Sequence, residues 1–142
     1  MDYTTQDQLV TRFGRRLLVE LTDRADEPTD QIDAQIVSGA ITAAQALVDG
    51  HLANHYALPL SELPELVSQV TEDLVIYGLH IYDAPDKIAA GEKNARDTLR
   101  KISDGKIRLP IAGVEPASKP DQDVRFTEQE RPFSAETMKG FI

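Results

Sequence analysis

The chain has 142 residues, room for one domain around one modest core, with 41% hydrophobic and 27% charged residues as in ordinary soluble globular proteins. It contains no cysteine, which excludes a disulfide framework, a thiolate metal site and a thiol nucleophile and suits a reducing compartment. Its net charge of −9, from 24 acids against 15 bases, argues against a protein whose main task is gripping nucleic acid, because phosphate binding is driven by Lys and Arg displacing counterions.

The opening Met1-Asp2-Tyr3-Thr4-Thr5 is acidic and polar and does not read as a signal peptide. Thr5 followed by Gln8 has the spacing of a capping box, and Leu9, Val10 and Phe13 supply the apolar side of a short first helix that Gly14 ends. A second short helix over 15–21 is carried by Leu17, Leu18 and Leu21. Residues 23–30 are acidic and contain Pro28, the signature of a loop.

A long third helix is predicted over 31–55, capped by Thr29 or Asp30, with Ile32, Ile36, Ala40, Ala43 and Leu47 at helical spacing. Gly39, Ala43, Ala46 and Gly50 fall in one narrow arc of it. Each glycine costs about 1 kcal/mol relative to alanine inside a helix, so a close helix–helix approach is the expected compensation. Packing within the subunit is the first expectation, and a neighbouring copy the second. Leu58-Pro59-Leu60 through Pro64 then breaks and turns the chain.

The fourth helix, 64–82, has apolar residues around most of its circumference (Leu66, Val67, Val70, Leu74, Val75, Ile76, Tyr77, Leu79 and Ile81), which places it at the centre of a bundle or in an interface. Asp73 lies near its apolar stripe and needs a partner such as an arginine or a backbone amide. Pro85 suits the first turn of a fifth helix running to Ser103 and ending at Gly105, with Ile88, Ala95, Leu99 and Ile102 as its stripe. Lys93, Arg96 and Arg100 cluster on one flank of that stripe. From Pro110 onward, Pro116, Pro120 and Pro132 and many polar residues leave no useful helical period. The fold class is therefore all-α: a bundle of about five helices, two short and three long, over 1–109, with an extended arm over 110–142.

Charge is unevenly placed. Between 31 and 82 there is no Lys or Arg, while six acids fall there: Asp33, Asp49, Glu62, Glu65, Glu72 and Asp73. The bases gather at 12–24 and 87–108, an asymmetry suited to two copies meeting basic edge to acidic edge, or simply to a solvated surface.

The inventory of reactive groups is thin. His51 and His55 are four apart on a predicted helix, but a metal site needs three or four ligands, and no glutamate beside His51 completes a zinc-protease motif. The acidic loop has Ala25 and Pro28 where a calcium loop wants an acid and a glycine. No phosphate-binding glycine loop, dinucleotide turn or nucleophile elbow is present. Arg12, Arg15 and Arg16 form only a weak phosphate-binding pattern. The expectation is a protein that is not an enzyme and carries no cofactor and no metal. With no apolar run near the roughly 20 residues that cross a bilayer, no membrane association is expected.

Four blocks in register carry a resemblance. Tyr3-Thr4-Thr5-Gln6-Asp7-Gln8-Leu9, Arg12-Phe13-Gly14 and Leu21-Thr22-Asp23 resemble the opening of the Mu-like prophage head–tail connector family. Asp49-Gly50-His51-Leu52 with His55-Tyr56-Ala57-Leu58-Pro59-Leu60 is similar to that family's second block, with His51 in place of an aromatic. Asp73 to Tyr77 with Tyr82 resembles its central helix, and Arg131-Pro132-Phe133-Ser134 through Met138-Lys139-Gly140-Phe141 its terminus, with Met138 in place of leucine.

The resemblance implies a virion protein of the neck, made and assembled in the host cytoplasm. It implies a ring of about twelve copies that joins the portal protein to a tail completion or stopper protein while DNA passes through the channel without specific binding. On that reading Phe126, Arg131, Phe133, Met138 and Phe141 of the arm bind a partner. Lys93, Arg96 and Arg100, together with Gly39, Ala43 and Gly50, form subunit contacts. Two other classes fit the composition: a soluble phage assembly factor, and a small DNA-binding regulator. The regulator should show a basic recognition helix, and the central helices are acidic or neutral.

Overall fold

Thr5 is extended and accepts a hydrogen bond from the Gln8 amide on its hydroxyl, while the Gln8 side chain accepts from the Thr5 amide. This reciprocal capping box starts α1 (Gln6–Phe13). In the computed structural model, which describes residues 1–111, four further helices follow: α2 (Arg15–Thr22), α3 (Ala34–Leu52), α4 (Glu65–Gly78) and α5 (Asp86–Ser103). No strand occurs among the described residues, so the fold is all-α as expected, with two short helices and three longer ones. Residues 112–142, where most of the predicted arm falls, lie outside the described residues.

Gly14 has φ +90°, a conformation that costs a side chain dearly, and it both ends α1 and opens α2. The 23–33 connection is built around Asp23. Its carboxylate accepts from the Thr29 and Asp30 amides at 2.8 and 3.0 Å and from the Thr29 hydroxyl at 3.0 Å. Burial works against the charged form of Asp23, but these hydrogen bonds prevail and hold its carboxyl below the usual range.

Thr29 spends its hydroxyl on Asp23 and Asp30 has φ +54°, not the extended conformation of an N-cap, and neither caps α3. Asp33 does so instead, accepting from Gln35 and Ile36 at 3.0 and 3.3 Å. The helix therefore begins three residues later than predicted and ends at Leu52 rather than at His55. Its buried face is Val37, Ala44, Val48 and Leu52, one position around from the predicted stripe. Ile36, Ala40 and Leu47 are only half-buried and Ala43 is exposed.

α4 is the central element, packed against both α3 and α5. Val67, Val70, Leu74, Val75 and Ile76 are buried along it, and burying each such side chain contributes about 1.5–3 kcal/mol. Pro64 is its N-cap and Gly78 its last residue, so it stops four residues short of the predicted Tyr82. Pro85 is likewise the N-cap of α5, just outside the first turn. Gly91 of α5 faces Asp73 of α4, and a Cβ there would stand in ordinary contact, 3.6 Å from a carboxylate oxygen of Asp73.

α4 also carries buried charge. Glu72, with only 10% of its side chain exposed, receives Arg12 of α1 at 2.9 Å and the Thr4 hydroxyl at 3.2 Å. The same guanidinium reaches Asp73 at 2.6 Å, the arginine partner that its position required. Tyr3 adds a second link. Its amide donates to the Gln45 side chain at 3.1 Å, and its phenol donates to Asp49 on α3. Burial first, then the hydrogen bond to Asp49 and that residue's charge, push this phenol well above its ordinary pKa.

α5 ends in a Schellman motif around Gly105 (φ +77°): the Lys106 amide bonds to Lys101 O at 2.8 Å, and the Gly105 amide to Ile102 O at 3.0 Å. The chain then returns to the core. The Leu109 amide donates to the Tyr56 hydroxyl at 2.8 Å, and both Leu109 and Ile111 are buried.

Burial pushes the Asp73 carboxyl above its usual range, and Arg12 offsets this only in part. A raised folded-state pKa means that the folded form holds its proton longer than the unfolded form. Stability from this group therefore falls as pH rises from the ordinary carboxyl value through the raised one. Asp73→Asn keeps an acceptor for Arg12 and removes the titration. Urea denaturation from pH ~3.5 to ~7 should show the variant gaining on the wild type as pH rises. A constant difference would mean that Asp73 titrates alike in both states.

Candidate functional site

α5 turns Ala95, Leu99 and Ile102 into the core and holds Ile88 half-buried. The 3.6-residue period then sends Lys93, Arg96 and Arg100 outward together, and all three are exposed. They line an open depression on α5 with Glu92, Asn94 and Asp97. Arg96 is partly committed, since its Nε donates to Glu92 one turn earlier. Lys101 pairs with Asp97 at 2.9 Å. The hydrogen bond from Lys101 and then its charge hold the Asp97 carboxyl below the usual range. Lys93 and Arg100 form no ion pair among the described residues. The predicted basic flank therefore exists as a surface, with two of its three cations in no ion pair among the described residues.

The small-residue arc of α3 has a different outcome from the one first expected. Gly39, Ala43, Ala46 and Gly50 do share a face, but that face is exposed, and a Cβ added at Gly39 or Gly50 would meet nothing within 4 Å. No described helix packs against Gly39 or Gly50. Among the helical glycines it is Gly91, which the sequence pattern did not single out, that faces a neighbouring helix, at ordinary contact distance from the Asp73 side chain. The exposed residues of this face, Gln35, Ser38, Gly39, Thr42, Ala43, Ala46 and Gly50, carry no formal charge over a helix about 28 Å long.

His55 and His80 are engaged by backbone. His55 Nε2 donates to the Ser103 carbonyl at 2.7 Å, and Asn54 donates to the Ser103 hydroxyl at 2.8 Å, tying the end of α3 to the end of α5. His80, just past the end of α4, donates from Nδ1 to the Ile76 carbonyl at 2.7 Å. No group of three or more His, Asp or Glu residues is arranged to hold a metal ion among the described residues. No described helix is long and apolar enough to cross a membrane. Phe126, Arg131, Phe133, Met138 and Phe141 lie outside the described residues.

One surface escaped the sequence reading. Because α4 stops at Gly78, the residues that would have continued it are turned outward: Ile81 is 63% and Tyr82 87% exposed, beside Tyr77 at 40%. Arg24 bonds the carbonyl of Leu79 at 3.1 Å, which fastens the acidic 23–33 connection beside this turn. Gly78 together with Pro85 was the available cue, since two breakers seven residues apart leave little room for helix between them.

The fold and its surfaces thus define a small all-α protein whose distinctive chemistry lies on exposed helix faces. The chain matches the family described as "Bacteriophage Mu, Gp36" over residues 3–128, and it belongs to that family. Gene product J of Escherichia phage Mu is 28% identical to it over 142 residues, covering the whole of both chains.

An exposed mid-helix glycine with open space above it is a direct probe of the α3 face. Gly39→Ala should raise the stability of the isolated chain by about 0.5–1 kcal/mol, read as a higher denaturation midpoint. If copies meet on this face, the added methyl groups should also weaken their association in sedimentation. Unchanged or lower stability would mean that Gly39 contacts something within the subunit.

Proposed function

We propose that this chain is a structural virion protein, not an enzyme. On this reading it is a head–tail adaptor that forms a ring of about twelve copies in the neck, between the portal protein and a tail completion or stopper protein. It assembles in the host cytoplasm, and DNA passes through the ring without specific binding. The observation that carries this reading is the outward-facing basic flank of α5 in a chain of the Mu Gp36 family. Lys93 and Arg100 have no ionic partner among the described residues, and the acids that could receive them are presented elsewhere on the same protein. A closed ring needs two such different, complementary patches on each copy. Any one exposed ion pair contributes only about 0.2–1 kcal/mol, so repetition around the ring has to supply the stability.

The arm residues Phe126, Arg131, Phe133, Met138 and Phe141 serve on this reading as anchors in the portal or in neighbouring adaptors. Burying a phenylalanine contributes about 1.5–3 kcal/mol, and Arg131 offers charge-assisted hydrogen bonds to a partner acid or carbonyl.

Purified particles provide the test. Full-length protein should be present in stoichiometric amounts. Deleting residues 124–142 should give a folded protein that no longer joins heads, which accumulate full of DNA or leak it. Phe133→Ala with Phe141→Ala should show a milder form of that defect. Reversing Lys93, Arg96 and Arg100 to glutamate should leave the helical content unchanged and abolish incorporation. Infectious particles without any copy of the chain would overturn the adaptor reading.

DNA binding separates this reading from a regulator. A low-salt gel shift should show no tight duplex complex, since an acidic lumen lets DNA pass. Tight, salt-sensitive binding would instead support the regulator.

A further inference from the structure

We propose that the end of the bundle formed by the 23–33 connection and the 79–85 turn is one half of a contact between copies, and that it seats on the basic α5 flank of a second copy of this chain. The proposal rests on the adaptor reading only for the ring into which the contact would close.

Five described large hydrophobic residues are conspicuously exposed, and Tyr77, Ile81 and Tyr82 are three of them, within six positions. Exposed aromatic residues of this size, grouped and rimmed by charge, have the make-up of a recognition surface. The rim is acidic. Asp23, Asp26, Glu27, Asp30 and Asp33 lie in the adjoining connection and Asp83 in the turn itself. Two arginines meet this rim and both are spent on backbone, Arg24 on the carbonyls of Leu21 and Leu79 at 3.2 and 3.1 Å and Arg15 on the carbonyl of Asp30 at 3.0 Å. Asp26 and Glu27 have no ionic partner among the described residues. The platform is also braced, by the Asp23 hydrogen bonds to Thr29 and Asp30 and by the Asp33 amide on the Thr22 hydroxyl at 3.0 Å. It therefore needs little ordering to bind.

The complementary surface is on the same chain. From 87 to 108 there are seven cations (Lys87, Lys93, Arg96, Arg100, Lys101, Lys106 and Arg108) against Glu92, Asp97 and Asp104. Arginine stacks well on aromatic faces, so Arg96 and Arg100 offer seats for Tyr77 and Tyr82 as well as charges for the acidic rim. The flank begins seven residues beyond Asp86, about 10 Å along α5, and runs on for about another 10 Å. The two surfaces are separate, and no ion pair joins them among the described residues. A patch that meets a different patch on the next copy makes a contact that repeats. A net charge of −9 makes unspecific approach of two copies repulsive, which favours this pairing of opposite signs over the alternatives.

The absence of cysteine permits a clean crosslinking test in the full-length chain. The doubly substituted chain, Glu27→Cys with Lys93→Cys, should give a ladder of covalent multimers on mild oxidation, either free or in purified particles. Each single variant should stop at dimer, and Glu62→Cys with Lys93→Cys should give no ladder. Adding Ile81→Ser and Tyr82→Ser should suppress the ladder while helical content stays constant. No ladder in either setting, an equal ladder from the Glu62 pair, or crosslinks only to a different protein would each overturn the proposal. A ladder from a chain that is absent from particles would sink the adaptor reading and leave the contact standing. Incorporation without a ladder would do the reverse.

Discussion

A carboxylate inside a helical bundle is tolerated only with a partner, and the pairing of Glu72 with Arg12 is the constraint on which the rest of this architecture depends. α4 is the hub, with α3 and α5 packed on it, and Glu72 is the one charged residue on a buried face that otherwise holds five apolar side chains with Ser68 and Thr71. Removing one member of a buried pair leaves an uncompensated charge that costs about 3–5 kcal/mol. α1 is therefore held where its guanidinium can reach both Glu72 and Asp73. With α1 fixed, Thr4 falls on Glu72 and Tyr3 on Asp49 and Gln45, so the N-terminal segment straps α3 to the hub. An arginine, unlike a lysine, can serve two carboxylates at once through its planar fork.

That solution commits Arg12, whose side chain is still 37% exposed, to α4 and leaves most of the other described charge on the surface. α5 carries a cluster of exposed bases, while the 23–33 connection carries acids whose neighbouring arginines, Arg15 and Arg24, are bound to backbone. α3 presents an uncharged outer face with two glycines against which no described residue packs. Together they weaken the helix by about 2 kcal/mol relative to alanine, with no compensating contact among the described residues. Within the described residues these features do not serve the stability of one copy, and each has an explanation if the protein works in contact with others.

How far the sequence could be read follows from which interactions are local. The Thr5–Gln8 capping box is four residues long, so α1 was legible, as was Gly14 as its stop. The start of α3 was not, because it depends on Asp23 reaching six residues ahead to take the Thr29 hydroxyl and on Asp30 lying at φ +54°. The stripe of α3 came out one position off, since Ile36, Val37, Ala40, Ile41 and Ala44 allow two adjacent apolar arcs and only contact with α4 chooses between them. The need of Asp73 for an arginine was visible, but which arginine was a tertiary fact. Of the candidate contact residues, Lys93, Arg96 and Arg100 were legible because a flank follows from helical period alone. Ile81 and Tyr82 were hidden by a helix drawn four residues too long.

The way the chain leaves the bundle bears on how a contact made beyond it would act on the body. Gly105 reverses the chain by a Schellman turn, and Ile107, Leu109 and Ile111 then follow the core rather than leading away from it. Leu109 is bonded to Tyr56, and His55 beside it is bonded to Ser103, so the root of the C-terminal segment is clamped between the ends of α3 and α5. A load applied through residues 112–142 would enter the protein there, at two helices that both pack on α4, instead of peeling away a single terminal turn. Hydrogen bonds loaded together across two helices share the force, whereas those of a terminal turn open one after another. The same clamp sets where that segment starts relative to the basic flank on α5, a few turns away on the same helix. A contact made by the segment and a contact made by the flank would therefore be coupled in position through one rigid element.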